Sequence, residues 1–263
     1  MRTLMQFLPA FLLACLAPVT AQAQIEVKEV STRAGVTLTF VYARAENPVA
    51  MAVLFQGGGG NIGIFPNGSM RVESFLSGGA QRFTRNGISV VIPDVPSDRR
   101  SLDDFRHTPE HAQDNAALFA FLRQQAKLPV WAIGTSNGSL SAAASSTHLK
   151  DQGPDGLVLT SSVTKSFAAA AHRVTLAPLV EVKVPVLLVH HKRDGCMVTP
   201  YDAMPALMSA LSAAPKVELI TVEGGYPNGN PCHTGHHQFL GIEAAVTQDI
   251  ADWIKRYPPG RMP

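Results

Sequence analysis

Nowhere does this chain concentrate lysine or arginine, and a formal charge of +2 over 263 residues leaves no face able to follow a phosphate backbone. Nucleic acid is therefore not an expected partner, and a small-molecule substrate fits better. The sequence lacks a Gly-Lys-Ser/Thr triplet, so a nucleotide phosphate loop has no support, and it lacks His-Glu-x-x-His, the familiar zinc-hydrolase helix pattern. No internal repeat and no low-complexity linker divides it. Long apolar runs are missing too: the N-terminal one is broken by Pro9 and Pro18, so a stable membrane span is not expected. Cysteine is scarce, at three residues, while a hydrophobic content of 46% is enough for one sizeable core.

At the N-terminus stand a basic Arg2, a short apolar run and Ala21-Gln22-Ala23, the small-x-small pattern of a signal-peptidase site. This predicts a signal peptide over residues 1–23, cleavage near Ala23, and a single periplasmic or secreted domain over 24–263. Leu12-Leu13-Ala14-Cys15 resembles a bacterial lipobox and offers the alternative of a lipid anchor on Cys15. Cleavage leaves two cysteines, Cys196 and Cys232. In an oxidising compartment an isolated pair is expected to be joined, with two free buried thiols as the alternative.

The segments IEVKEV and VTLTFVYA alternate polar and apolar residues, as a hairpin at one side of a sheet would. VAMAVLF, ISVVIP, LPVWAIG, GLVLTS, VPVLLVHH and VELITV are short, nearly continuous apolar runs rich in β-branched residues, the pattern of parallel strands covered on both faces. Helical segments are expected at about 69–86, 110–125, 137–148, 200–213 and 238–256. The last carries Phe239, Ile242, Ala245, Val246, Ile250 and Trp253 at helical spacing. Alternating strands and helices predict a doubly wound, mostly parallel α/β sheet with right-handed crossovers. The tail YPPGRMP is expected to be mobile.

Gly134-Thr135-Ser136-Asn137-Gly138 fits Gly-x-Ser-x-Gly, and it lies between a strand pattern and a helix pattern. In that setting the central serine sits on a tight elbow, with its Oγ lifted beside a helix N-terminus. Ser139 and Ser141 fall inside the helix and read as small residues that permit close packing. A serine hydroxyl is a poor nucleophile at neutral pH, so Ser136 needs a base and an orienting acid. Asp194 follows a buried strand pattern, which favours it over Asp155 and Asp202. Among three imidazoles after the last strand, His237 is favoured as base because it immediately precedes the amphipathic helix; His236 and His233 stay open as alternatives. For the oxyanion, the loop Gln56-Gly57-Gly58-Gly59-Gly60 offers a main-chain donor at Gly57 or Gly58, and Asn137 offers a second.

Together these pieces resemble the α/β-hydrolase superfamily, in particular its small, lid-poor bacterial members of the dienelactone-hydrolase or esterase kind. The resemblance runs from about Val36 to Trp253 and rests on four motifs in order: QGGGG, GTSNG, HHKRDGCMV and GHHQFLGIE. It implies a Ser-His-Asp serine hydrolase acting on a small acyl substrate through an acyl-enzyme, with no cofactor and no metal. Gln56 departs from the histidine that many relatives carry before the glycines. The segment 162–183 is too short for a lipase-type cap, which implies a minimal cap and an open pocket. Set against this pattern, a Cys196–Cys232 bridge would tie the acid loop to the histidine loop.

Other readings remain. Gly58, Gly60 and Gly63 satisfy Gly-x-Gly-x-x-Gly, yet Pro66 follows where a dinucleotide-binding helix should start. Cys232, His233, His236 and His237, with His190 and His191 nearby, could be metal ligands, but in no recognised spacing. A peptidase or amidase would use the same machinery, and a binding protein could keep the architecture without turnover.

Overall fold

A computed structural model describes residues 24–166 and 173–257. The expected signal peptide with Cys15 and Ala23, and residues 258–263 of the tail, lie outside the described residues. Eight strands form one sheet in the order β1-β2-β4-β3-β5-β6-β7-β8. The hairpin is β1 (Gln24–Ser31) with β2 (Thr37–Arg44), and β2 continues antiparallel onto β4 (Ile88–Pro93). From β4 onward the pairing is parallel, through β3 (Ala50–Phe55), β5 (Val130–Thr135), β6 (Gly156–Thr160), β7 (Val186–His191) and β8 (Val217–Val222).

The continuous apolar runs explain this arrangement. Every residue of β3, β4, β5, β6 and β7 is buried, as a strand covered on both faces requires. The exception is β8, which was expected to be covered in the same way but is mostly half-buried, because it forms the free edge of the sheet. On one face α1 (Ala80–Arg85) and α5 (Glu243–Arg256) bury Phe83, Val246, Ile250 and Trp253, with Trp253 edge-on to Trp131 at 5.4 Å. The other face is covered by α2 (Pro109–Gln125), α3 (Gly138–Leu149) and α4 (Met204–Ala210). Helix α2 begins where Pro109 follows Thr108, whose side chain accepts the His111 N–H.

Three helices are shorter than their sequence patterns. Of 69–86 only α1 and a preceding 3-10 turn, Ser77–Gly79, are helical. The rest is drawn into tertiary bonds: Ser74 Oγ donates to Gln56 Oε1 at 2.6 Å, and the Phe75 N–H donates to Gln238 Oε1 at 3.0 Å. Of 238–256 only α5 is helical, since the chain turns left-handed at Phe239 (φ +56°) and at Gly241 (φ +84°) before Glu243. Of 200–213, a 3-10 turn Tyr201–Ala203 leads into the shorter α4. Between β6 and β7 the described residues hold two 3-10 turns, Val174–Leu176 and Leu179–Glu181, and no longer helix.

After β3 the chain passes to β4 on one side, then crosses to β5 on the other. The winding reverses there, and a crevice opens at the C-terminal ends of β3 and β5, where doubly wound sheets carry their sites. Glycines permit the approach: a Cβ on Gly138 would overlap the Phe55 carbonyl, and one on Gly134 would overlap the Gly138 carbonyl. Gly138→Ala and Gly134→Ala should each cost on the order of 3 kcal/mol or more in thermal melts. Gly78→Ala, whose new Cβ would meet nothing nearer than 3.6 Å, should stay within about 0.5 kcal/mol of the parent.

Candidate active site

The end of β5 turns sharply at Ser136, whose φ of +53° is left-handed for a residue other than glycine. That conformation costs on the order of 1 to 3 kcal/mol and is tolerated where the surroundings enforce it. Here the Ser136 N–H donates to the Thr160 carbonyl at 3.0 Å, and α3 starts two residues later with Gly138 on the β3 backbone. Ser136 is thus a half-buried residue at the N-terminal, electropositive end of a helix.

Asp194 follows β7, and its side chain is enclosed although its backbone is partly exposed. Its Oδ2 accepts from His237 Nδ1 at 2.9 Å and from Thr199 Oγ1 at 2.8 Å, while Oδ1 accepts the Cys196 N–H at 2.9 Å. Burial pushes this carboxyl up, but the bonds from His237, Cys196 and Thr199 outweigh it and hold Asp194 below the usual carboxylate range. His190 lies 3.5 Å from Oδ2, yet its Nε2 donates to the Thr199 carbonyl at 2.8 Å. Burial, opposed in part by Asp194, pushes the His190 imidazole below its ordinary value, towards the neutral form.

His237 is fully buried in a 3-10 turn, Gly235–Gln238, and not directly against α5 as its sequence position suggested. Ser161 Oγ donates to the His237 carbonyl at 2.8 Å. Adjacent residues at the end of β6 therefore hold both Ser136, through Thr160, and His237, through Ser161. No hydrogen bond joins His237 Nε2 to Ser136 Oγ; Nε2 is buried with no partner among the described residues. The other two imidazoles do not meet Asp194. His236 Nδ1 donates to the Arg193 carbonyl at 3.0 Å with its ring stacked on His191 at 4.0 Å, and His233 is exposed.

The main-chain N–H groups of Gly57, Gly58 and Asn137 make no hydrogen bond within the described residues. Gly57 lies so close to the elbow that an added Cβ would stand 2.9 Å from Ser136 Cβ. Downstream, the Asp94 carboxylate accepts the N–H groups of Ile62, Gly63 and Ile64 and fixes the far end of the glycine loop. No helix opens after Gly58, Gly60 and Gly63; the next one starts at Ala80. Cys232 is bonded to Cys196 in a disulfide that links the acid loop to the histidine loop. Among the described residues no group of three or more His, Cys, Asp and Glu side chains is placed to hold a metal.

Sequence reasoning missed Thr199, Ser161 and Asp94, and it misread Ser139 and Ser141 as mere packing residues. Ser139 Oγ donates to the Gly134 carbonyl at 3.3 Å, and Ser141 Oγ joins Arg106 and His111. Asp94, Ser141 and Ser161 act through partners distant in the chain, and Thr199 and Ser139 act on groups across a turn at no regular helical or strand spacing, so no local pattern marks them.

The geometry defines a class first: a doubly wound α/β protein with a serine elbow after its fifth strand and a bonded acid and histidine at neighbouring strand ends. No protein-family model matches the sequence, and a sequence search of curated proteins matches none. Solved structures do match. A dienelactone hydrolase from Anabaena variabilis aligns at TM-score 0.64 and 17% identity, over 90% of this chain and 100% of its own. The esterase Pf2001 from Pyrococcus furiosus aligns at 0.66 and 13%, over 89% and 92%. A lidless α/β serine hydrolase from Xanthomonas campestris aligns at 0.58 and 15%, over 90% and 97%. The chain has the α/β-hydrolase fold.

Reduction should lower the melting temperature. With cysteines 36 residues apart, loop closure contributes about 3 to 4 kcal/mol, equivalent to roughly 6 to 15 °C at this size; equal melts with and without reductant would show that the bridge contributes nothing. Because Asp194 is held below its unfolded value, its stabilisation is complete above the unfolded carboxylate range, about pH 4. It is lost as pH falls through the depressed value. Denaturant titrations should give Asp194→Asn a shallower acid limb than the parent.

Proposed function

We propose that this protein is an exported serine hydrolase that cleaves a carboxylic ester or related acyl bond of a small substrate. Ser136 is the nucleophile, His237 the base and Asp194 the orienting acid. The observation that carries this reading is the 2.9 Å bond from His237 Nδ1 to the enclosed Asp194 carboxylate. The end of β6 ties this pair to a serine in a left-handed elbow, Thr160 accepting the Ser136 N–H and Ser161 donating to the His237 carbonyl, and the opposite nitrogen of the ring has no partner among the described residues. His111, His190 and His236 also carry a buried ring nitrogen without a partner, but the other nitrogen of each is bonded to a hydroxyl or a carbonyl, whereas that of His237 is bonded to a carboxylate. The esterases and serine hydrolases of the same fold support the class of reaction, and the shortness of the 162–183 segment supports a small substrate.

In the first half-reaction Ser136 Oγ attacks the acyl carbon and its proton passes to His237 Nε2. Asp194 holds the Nδ1–H tautomer and stabilises the imidazolium. The carbonyl oxygen becomes an oxyanion, received by the N–H of Gly57 or Gly58 and that of Asn137. The oxyanion collapses as the leaving group takes the proton from Nε2. A water then repeats the sequence on the acyl-enzyme, with His237 again accepting a proton, so that acid and free serine result. Export is supported by the Ala21-Gln22-Ala23 pattern and by the disulfide.

A chromogenic ester panel, with amides and thioesters alongside, tests this. The parent should turn over at least one activated ester. Ser136→Ala and His237→Ala should each lose about three or more orders of magnitude in kcat; Ser136→Ala should keep the parent melting temperature, while His237→Ala should stay folded but melt lower, because it leaves the enclosed Asp194 carboxylate one donor short. A fluorophosphonate should label the parent and not Ser136→Ala. Normal turnover in His237→Ala would move the base to His236 or His233, and absence of both turnover and labelling would leave a binding protein.

A further inference from the structure

The glycine loop after β3 and the elbow after β5 are separate segments, and four consecutive glycines have the least intrinsic ability to hold a conformation. An external group sets their geometry. Arg106, in the irregular segment between β4 and α2, is 1% exposed. Its Nη2 donates to the main-chain carbonyls of Gln56 at 3.1 Å and Gly58 at 2.9 Å, and its Nη1 donates to Ser141 Oγ of α3 at 2.8 Å. These contacts are carbonyls and a hydroxyl, not a carboxylate. From the elbow side, Asn137 Nδ2 donates to the same Gly58 carbonyl at 3.1 Å.

A trans peptide points its C=O and N–H in opposite directions, and the described chain has no cis bond. Holding the Gln56 carbonyl therefore turns the Gly57 N–H away from the guanidinium, and holding the Gly58 carbonyl fixes the next peptide but one. A cation on the carbonyl end also polarises the peptide and strengthens its N–H as a donor. We infer that Arg106 is a positioning residue: it locks the peptide planes of the glycine loop and, with the Asn137 side chain, sets the spacing between the two oxyanion donors. The inference rests on the hydrolase reading proposed above.

The surroundings suit a fixed cation. Burial lowers the Arg106 pKa to about 10, partly opposed by Asp103, so the group stays charged at neutral pH. His111 Nε2 meets the same Ser141 Oγ at 2.9 Å, and its ring lies edge-on to Phe55 and Phe105. Burial first, then the charge of Arg106, keeps His111 neutral, so no second cation competes.

Arg106→Met, Arg106→Lys and Asn137→Ala test this against the parent. The readouts are ester hydrolysis, inhibition by a trifluoromethyl ketone whose adduct carries the oxyanion, and crystal structures. Active enzyme is counted by fluorophosphonate titration, so unfolded molecules do not enter the rates. In Arg106→Met kcat should fall about 10- to 100-fold with KM within about twofold. The ketone Ki should rise by the same factor as kcat/KM falls, and the 56–57 or 58–59 peptide should be rotated. Arg106→Lys should recover part of the loss. Asn137→Ala combined with Arg106→Lys should lose less than the product of the single effects, because both residues hold one carbonyl. If Arg106→Met does not fold, the latter two variants carry the same readouts. Parent-like kcat and Ki in the titrated Arg106 variants would overturn the inference. A parent that neither hydrolyses any ester nor takes the label would defeat the hydrolase reading instead; unmoved Gln56 and Gly58 carbonyls in the variant crystals would then overturn the role of Arg106 separately.

Discussion

The close approach of two backbones governs this molecule. Gly138, the first residue of α3, lies directly on the carbonyl of Phe55 at the end of β3, and Gly57, two residues beyond, lies against the side chain of Ser136. No side chain fits between them. The turn must be compressed to let the helix begin there, and the compression forces Ser136 into the left-handed region. The same contact brings the glycine loop to within reach of the elbow. Its cost is met by a sheet whose central strands are wholly enclosed, with five successive strands buried along their full length.

Two buried charges lie beyond the strand ends, and each is satisfied differently. Asp194 is compensated by donors that converge on it from His237, Thr199 and its own loop. Burial alone would neutralise it; three hydrogen bonds keep it ionised, and a disulfide holds the two loops that supply them. Arg106 meets carbonyl oxygens and a hydroxyl instead, so its charge is spread over peptide dipoles. One charge orients an imidazole and the other orients a glycine-rich main chain. In both cases a flexible group, a side-chain ring or a run of glycines, is made rigid by a neighbour distant in sequence.

How much of this the sequence carried depends on the range of the interaction. Sequence pattern located all eight strands, β1 and β2 by alternation and the rest by apolar runs that enclosure on both faces demands in β3 to β7 and that the edge strand β8 carries without being enclosed, and Gly-x-Ser-x-Gly between strand and helix located Ser136. Order along the chain singled out Asp194 and favoured His237, the two residues that the structure bonds together. Residues 69–86 and 238–256 look helical by composition, yet Gln56 and Gln238 capture main-chain and side-chain groups of the first, and left-handed turns at Phe239 and Gly241 delay the second. Arg106 carried no signal, since an arginine in an irregular segment reads as a solvated charge until the fold buries it.

By itself, then, the amino-acid order determined which stretches become strands, that they alternate with helices, and where the tight serine turn falls. Each of these follows from hydrophobic spacing and glycine placement over a few residues. Only the tertiary structure decided which of three imidazoles meets the acid, that Cys196 and Cys232 bond across the two loops, and which buried groups hold the glycine loop. Those outcomes depend on side-chain direction and on contacts between segments tens of residues apart, and chain folding sets these through packing, not through local pattern.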